Sequence, residues 1–181
     1  MNKSFILSSL IASIFLSGCL QPPEPYIFIN KYDDNLTKVL SEKKGTASIS
    51  GSAFLRKNNG DIVTCAGQEV YLFPKTSYAT EYLSVNYGHT NIFVVSYFDY
   101  QKGYKGPSVG LPFDTVYPFS PYVKSSYCDA QGNFEFKNIG NGEYYVATKV
   151  DWIVQGAVQG GSLVHSVNVE NNESTKVIVS N

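Results

Sequence analysis

From Thr46 onward the chain alternates apolar and polar residues with a period of two. In TASISGSAFLRK, Ala47, Ile49, Ala53 and Leu55 share one face, with serines and Phe54 on the other. The same two-residue period runs through DIVTC, QEVYLFP, VKSSYCD, NFEFKNI, EYYVATKVDWIV, SLVHSVNVE and STKVIVS, and NIFVVSYFDY reads as a further strand. Glycine, asparagine and aspartate separate these segments, so they read as strands joined by tight turns. Asn59-Gly60 predicts a type I′ hairpin, and Ala66-Gly67 turns the chain into a strand that Pro74 ends. About eight strands at this spacing favour an antiparallel sandwich over a βαβ fold. In VQGAVQGGS, Gly156 and Gly160-Gly161 read as a hairpin connection.

Two stretches carry a helical period instead. KYDDNLTKVLSEKKG places Asp33 and Asp34 at a helix start, with Leu36, Val39 and Leu40 as a small apolar stripe. Lys43 and Lys44 close the last turn and Gly45 caps it. A helix this short is not stable alone, so it docks or stays mobile. In PKTSYATEYLSVNYG, Tyr78, Tyr82 and Val85 are spaced as on a second short helix. The segment from Gln101 to Tyr122 has no sustained period and is rich in proline, glycine and aromatics, which predicts a long ordered loop.

The N-terminus is of another kind. Lys3 supplies a positive start, Phe5 to Leu16 is an apolar run, and Ser17 and Gly18 precede Cys19. The run is shorter than the roughly 20 apolar residues that span a bilayer. Leu16-Ser17-Gly18-Cys19 resembles the lipobox of bacterial lipoproteins. The resemblance implies a signal peptide at 1–18, a diacylglyceryl group on the Cys19 thiol and acylation of its amine. Two or more acyl chains hold a soluble body stably on a membrane. Leu20, where an aspartate would favour inner-membrane retention, implies the outer membrane if the host is Gram-negative. Pro22, Pro23 and Pro25 then read as a stiff spacer. The expected organisation is a leader at 1–18, a lipid-anchored tether with a possible short helix at 19–45, and a β domain at 46–181 with an insertion at about 75–122.

Charge adds little: 14 Lys+Arg face 15 Asp+Glu, and the leader removes only Lys3. That balance gives no footprint for nucleic acid. Of three cysteines, Cys19 is set aside for lipid, leaving Cys65 and Cys128, which export to an oxidising compartment would pair. Their alternative state is two buried thiols.

The run Asp129-x-x-Gly132-x-Phe134-x-Phe136-x-x-Ile139-x-x-Gly142-x-Tyr144-x-Val146 has turns where the backbone must bend and aromatics where a core must be filled. It resembles the carboxypeptidase regulatory-like domain, which belongs with the transthyretin-like and Cna-B-type sandwiches. Ile49-x-Gly51-x-Ala53, Gly60 and Ala66-Gly67-Gln68-Glu69-Val70-x-Leu72 resemble its first strand, turn and second strand. The likeness covers roughly 46–74 and 123–154 and implies an Ig-like or transthyretin-like sandwich; the 75–122 segment exceeds a minimal module of that family. With the elements read above, the expected fold is a seven- to eight-stranded antiparallel sandwich with one short helix and a long aromatic loop. It implies a fold and no activity.

Candidate chemistry is sparse. His89 follows Gly88 in a turn, and His165 lies on the Leu163, Val167 and Val169 face as a core or edge residue. Zinc would need more ligands at regular spacing; no G-x-S-x-G elbow or phosphate loop is present, and no cofactor is expected. Asn35-Leu36-Thr37 and Asn172-Glu173-Ser174 read as chance matches to glycosylation triplets. The candidate contact patch is aromatic: Tyr97, Phe98, Tyr100, Tyr104, Phe113, Tyr117, Phe119 and Tyr122. Tyrosine offers broad amphipathic contact to glycans or proteins, though the favoured reading is that these rings fill a satellite core under the long loop. The leading expectation is a non-catalytic binding or structural module, lipid-anchored in a bacterial envelope, with the membrane and an envelope protein or glycan as partners. The alternatives are a small envelope hydrolase with a site in the 99–122 loop, or an assembly component of a secretion or surface apparatus.

Overall fold

The computed structural model describes residues 27–87 and 122–180. Within them lie two helices, α1 (Asp34–Glu42) and α2 (Ser77–Tyr87). The eight strands are β1 (Ala47–Arg56), β2 (Ile62–Thr64), β3 (Glu69–Pro74), β4 (Lys124–Tyr127), β5 (Asn133–Ile139), β6 (Gly142–Val154), β7 (Ala157–Val169) and β8 (Thr175–Val179). One sheet has the order β2-β1-β5, with β8 also against β1; the other has the order β4-β3-β6-β7. This is the mainly β, two-sheet sandwich that the alternation predicts. Among the described residues the one departure from antiparallel pairing is β8, which runs parallel to β1 from Ile49↔Thr175 to Ala53↔Val179. The expected strand at 91–100 and the loop to residue 121 lie outside the described residues.

The predicted inward face of β1 is the observed one: Ala47, Ile49, Ala53 and Leu55 are buried. Phe134 and Phe136 of β5 meet edge to face, with centroids 6.1 Å apart, and join the same core as Tyr144, Val146 and Val150 of β6. Asn138, at φ 58°, bulges β5 so that Ile139 also turns inward; the pairing with β1 shifts register at that point. His165 sits half-buried on the core-facing side of β7, opposite Val146.

The chain passes between sheets at two corners, and each pair of crossings is tied. At one end, the β2–β3 and β4–β5 crossings exchange backbone hydrogen bonds, Gly67 to Cys128 (3.1 Å) and Cys128 to Gln68 (2.9 Å), and the Cys65–Cys128 disulfide joins them. The expected pairing of these cysteines is therefore present. At the other end the Asn172 amide donates to the Asn141 side-chain oxygen at 2.8 Å. Asn171 and Asn172 take positive φ there, which asparagine tolerates, so the Asn172 triplet has a structural reason.

Four local expectations are corrected. The loop after β1 is not type I′. Lys57 and Asp61 close a three-residue loop in which only Gly60 has positive φ, the turn-plus-bulge form. The type I′ geometry occurs instead at Gln155-Gly156, where φ is 49° and 82°. Gly160 and Gly161 belong to β7, paired with Asp151 and Val150, and a side chain at Gly160 would collide with the Val150 carbonyl. In α1 the apolar stripe is not the buried face: Leu36 and Val39 are exposed, while Thr37 and Ser41 are buried. Their hydroxyls bond back to the Asp33 and Lys38 carbonyls (2.7 and 2.8 Å), so they enter the interior satisfied. Asp33 caps the helix by accepting from the Leu36 amide, but the last turn holds no basic residue. Lys43 is already extended, and Gly45 fits tightly against Gly140 instead of capping.

The 63-residue separation of the disulfide predicts that a Cys65→Ser/Cys128→Ser variant loses about 2–4 kcal/mol in urea unfolding. In the adjoining turn, Asp129 accepts from the Asn133 amide (2.8 Å), the Asn133 side chain and the Gln131 amide (2.9 Å). These bonds, Asn133 foremost, hold its carboxyl below the ordinary range. A depressed folded value stabilises above the unfolded pKa and is lost as pH falls through the folded one. Asp129→Ala is therefore less stable than the parent at pH 7, and the gap in thermal midpoint closes below about pH 4.

Candidate functional site

The local sequence after β3 builds a helix with three distinct faces. Pro74 closes the strand, and Thr76 caps α2 by accepting the Ala79 amide on its Oγ1 at 3.0 Å. Ala79 and Leu83, four apart, pack into a second apolar cluster with Phe73, Tyr145, Ala147 and Val164 on the outer side of the β3-β6-β7 sheet. Tyr78 and Tyr82 make a lateral face. Ser77, Thr80, Glu81, Ser84 and Val85 line a cleft of about 530 Å³, together with Asn30, Lys75, Thr76 and Glu143. The helix period predicted here is correct, but the stripe is not: Val85 lies on the cleft side and is exposed.

The cleft is polar and braced. Lys75 Nζ pairs with Glu143 Oε1 at 3.0 Å, and the Lys75 amide donates to the Glu143 carbonyl at 3.0 Å. Thr80 Oγ1 donates to the Thr76 carbonyl and lies 3.0 Å from the Tyr145 hydroxyl. Burial raises the Tyr145 phenol, against the pull of the Thr80 bond and of Lys75, whose ammonium stands 6.0 Å over the ring. At neutral pH this phenol is an uncharged hydrogen-bonding group.

One wall of the cleft comes from the chain before α1. The amides of Ile29 and Asn30 and the Asn30 side-chain nitrogen all donate to the Glu81 carboxylate, each at 2.7 Å. Such short bonds to an ionised acceptor are stronger than neutral ones. Phe28 stacks on Tyr82 (6.0 Å, 14°) and meets Tyr78 at 5.3 Å, and Tyr32 meets Tyr78 edge-on at 5.5 Å. Residues 28–32 thus form a strap fastened along α2, with Ile27 and Ile29 pointing outward, each 85% exposed.

Of the aromatic patch expected from sequence, Tyr122 alone is among the described residues. It is half-buried beside α1, where a hydrogen bond to Asp34 pushes its phenol up to about 12. Tyr97, Phe98, Tyr100, Tyr104, Phe113, Tyr117 and Phe119 lie outside the described residues, as do His89 and Cys19. Sequence reading passed over the cleft. The available signal was the polar face of the same helical stretch, Ser77, Thr80, Glu81 and Ser84, which accompanies the tyrosines at i, i+3, i+4 and i+7. Among the described residues, no group of three or more metal-ligating side chains converges.

No protein-family model matches the chain. No curated protein matches it either. Among solved structures, it is similar to a proposed carbohydrate binding protein of Pseudomonas aeruginosa. The TM-score is 0.63 and the identity 23%, covering 83% of this chain and 100% of that one. The likeness shows a common fold. A chlorocatechol 1,2-dioxygenase of Pseudomonas putida aligns with a TM-score of 0.25 and 11% identity over 75% of this chain and 61% of that one, too distant to bear on the site.

The strap has a direct check. Glu81→Ala removes the acceptor of three hydrogen bonds, so amide hydrogen exchange at Ile29 and Asn30 rises about tenfold or more while the β6 amides keep their protection.

Proposed function

We propose that this protein is a lipid-anchored, non-catalytic glycan-binding module of a bacterial envelope, with the α2 cleft as its binding site. The observation that carries this reading is the composition of the cleft. It offers hydroxyls, an amide, an ammonium and carboxylates on rigid backbone, the donor and acceptor mixture that sugar hydroxyls match. Glu81 is held by three donors and Glu143 by Lys75, so neither carboxylate stands as an unengaged general base. The sandwich fold shared with a protein described as carbohydrate binding supports the same ligand class. The lipobox-like Leu16-Ser17-Gly18-Cys19 supports anchoring at Cys19 and an envelope address, the outer membrane in a Gram-negative host. A carboxypeptidase regulatory-like origin is supported by Asp129, Gly132 and Gly142, which fall in or beside the inter-sheet turns that such a sandwich requires.

The reading is tested on two arms. Cys19→Ser moves the protein from the membrane fraction to the soluble fraction. Screening peptidoglycan fragments and an oligosaccharide array finds a ligand, and Lys75→Ala/Ser84→Ala weakens it about tenfold or more with little change in thermal midpoint. Membrane association that persists in Cys19→Ser would overturn the anchor. Absence of any glycan bound by the parent chain would overturn the ligand class.

A further inference from the structure

The strap is the point at which the segment that follows Cys19 joins the domain. If Cys19 carries the lipid, seven residues separate it from Ile27, which makes eight Cα-to-Cα steps. Fully extended they reach at most about 28 Å, and about 25 Å in the polyproline II form that Pro22, Pro23 and Pro25 favour. The strap then enters the fold at α2, with Asn30 and Glu81 both in the cleft wall. The cleft is therefore on the side of the domain where the anchor segment joins it, and the β2-β1-β5 sheet is on the opposite side.

The strap beside the cleft is chemically unlike the cleft lining, which takes in Asn30 but neither Ile27 nor Ile29. Ile27 and Ile29 are 85% exposed on the outer face of the strap, and Val85 is exposed at the end of the lining. Lys75, Thr76, Thr80 and Glu143, which line the cleft, are polar. Isolated exposed apolar residues are ordinary on protein surfaces. Here, though, two of them sit on alternate residues, because Phe28 and Asn30 are drawn inward by the tyrosines and by Glu81. A free oligosaccharide satisfies the polar lining and leaves these apolar side chains in water. An amphiphile with a sugar head satisfies both.

We propose, resting on the anchored glycan-binding reading above, that the cleft takes the sugar headgroup of a glycosylated membrane lipid, with Ile27, Ile29 and Val85 against its glycerol and upper acyl region. The ligand is thus presented by the same membrane surface that holds the anchor. The strap is at once the tether's last segment and one wall of the site.

The experiment uses the full chain purified from membranes and held in amphipol, with the intact mass of that preparation reporting whether Cys19 is acylated. Dihexanoyl glycerol glycosides of glucose, galactose and N-acetylglucosamine, the corresponding methyl glycosides, and dihexanoyl phosphatidylcholine are titrated while hydrogen exchange is followed over residues 77–85. The expected result is that a dihexanoyl glycoside binds about tenfold or more tighter than its methyl glycoside. Ile27→Ser/Ile29→Ser abolishes that gain and leaves the methyl glycoside affinity unchanged. Equal affinity of the two sugar forms overturns the inference and leaves the glycan reading standing. Equal binding of phosphatidylcholine overturns it by showing that the sugar is irrelevant. Failure of both sugar forms overturns it together with the glycan reading, and an unacylated Cys19 overturns its anchoring premise.

Discussion

Burial of β6 on both faces is the constraint from which the rest of this structure follows. One face sends Tyr144, Val146 and Val150 into the sandwich, and the other sends Tyr145 and Ala147 outward into a second apolar cluster. A strand with two apolar faces in an antiparallel sheet needs cover on both sides. The second sheet covers one side and α2 covers the other, so the molecule has a third layer over part of the sandwich. Once Ala79 and Leu83 are committed to that cover, the helical period turns Ser77, Thr80, Glu81 and Ser84 toward solvent along one edge. The cleft is the consequence of seating a polar-faced helix on an apolar strand.

The two apolar faces of β6 are written in the sequence as the unbroken run YYVAT, which does not alternate cleanly. Reading it as a one-sided strand assigns Tyr144, Val146 and Val150 correctly but leaves Tyr145 and Ala147 without a partner. Strands with one wet face were easier: Ala47, Ile49, Ala53 and Leu55 lie where period-two reading places them, as do Phe134 and Phe136. The disulfide was legible because setting Cys19 aside left two cysteines, although their spacing does not reveal that both sit at inter-sheet corners. Turn types were less legible. A type I′ turn needs two residues with positive φ, and Asn59-Gly60 supplies only one because the flanking Lys57 and Asp61 close a longer loop. Helix α1 misled for a different reason. Its apolar stripe is real, but Thr37 and Ser41 satisfy their own hydroxyls and so can be buried at little cost, leaving Leu36 and Val39 outside.

The site was harder to see because its residues are common polar types with no motif. Their meaning comes from two non-local pairings, Glu81 with residues 29 and 30 and Lys75 with Glu143, separated by 52, 51 and 68 positions. These contacts depend on the strap's path across α2, which no local period encodes. The same pairings bear on reaction class. A general base needs a carboxylate with an open lone pair aimed at a substrate proton. In Glu81 three of the roughly four acceptor sites take backbone and side-chain donors that also fix the strap. What fixes a wall is poorly suited to move a proton, and well suited to hold a shape.

That fixity also bears on how the protein would recognise a ligand near a membrane. Phe28 between Tyr78 and Tyr82, and Tyr32 against Tyr78, give the strap an aromatic seat in addition to its hydrogen bonds. A domain on a loose tether samples many orientations and presents its cleft to the bilayer only part of the time, which lowers its apparent affinity by that fraction. If the chain is anchored at Cys19, as proposed, the seven residues between Cys19 and Ile27 include three prolines with restricted φ, and the strap that follows them is seated beside the cleft. An anchored domain seated in this way would lose less orientational entropy on binding a ligand at a membrane. Glu81 sits where this economy is greatest, because the same carboxylate closes the strap and borders the cleft.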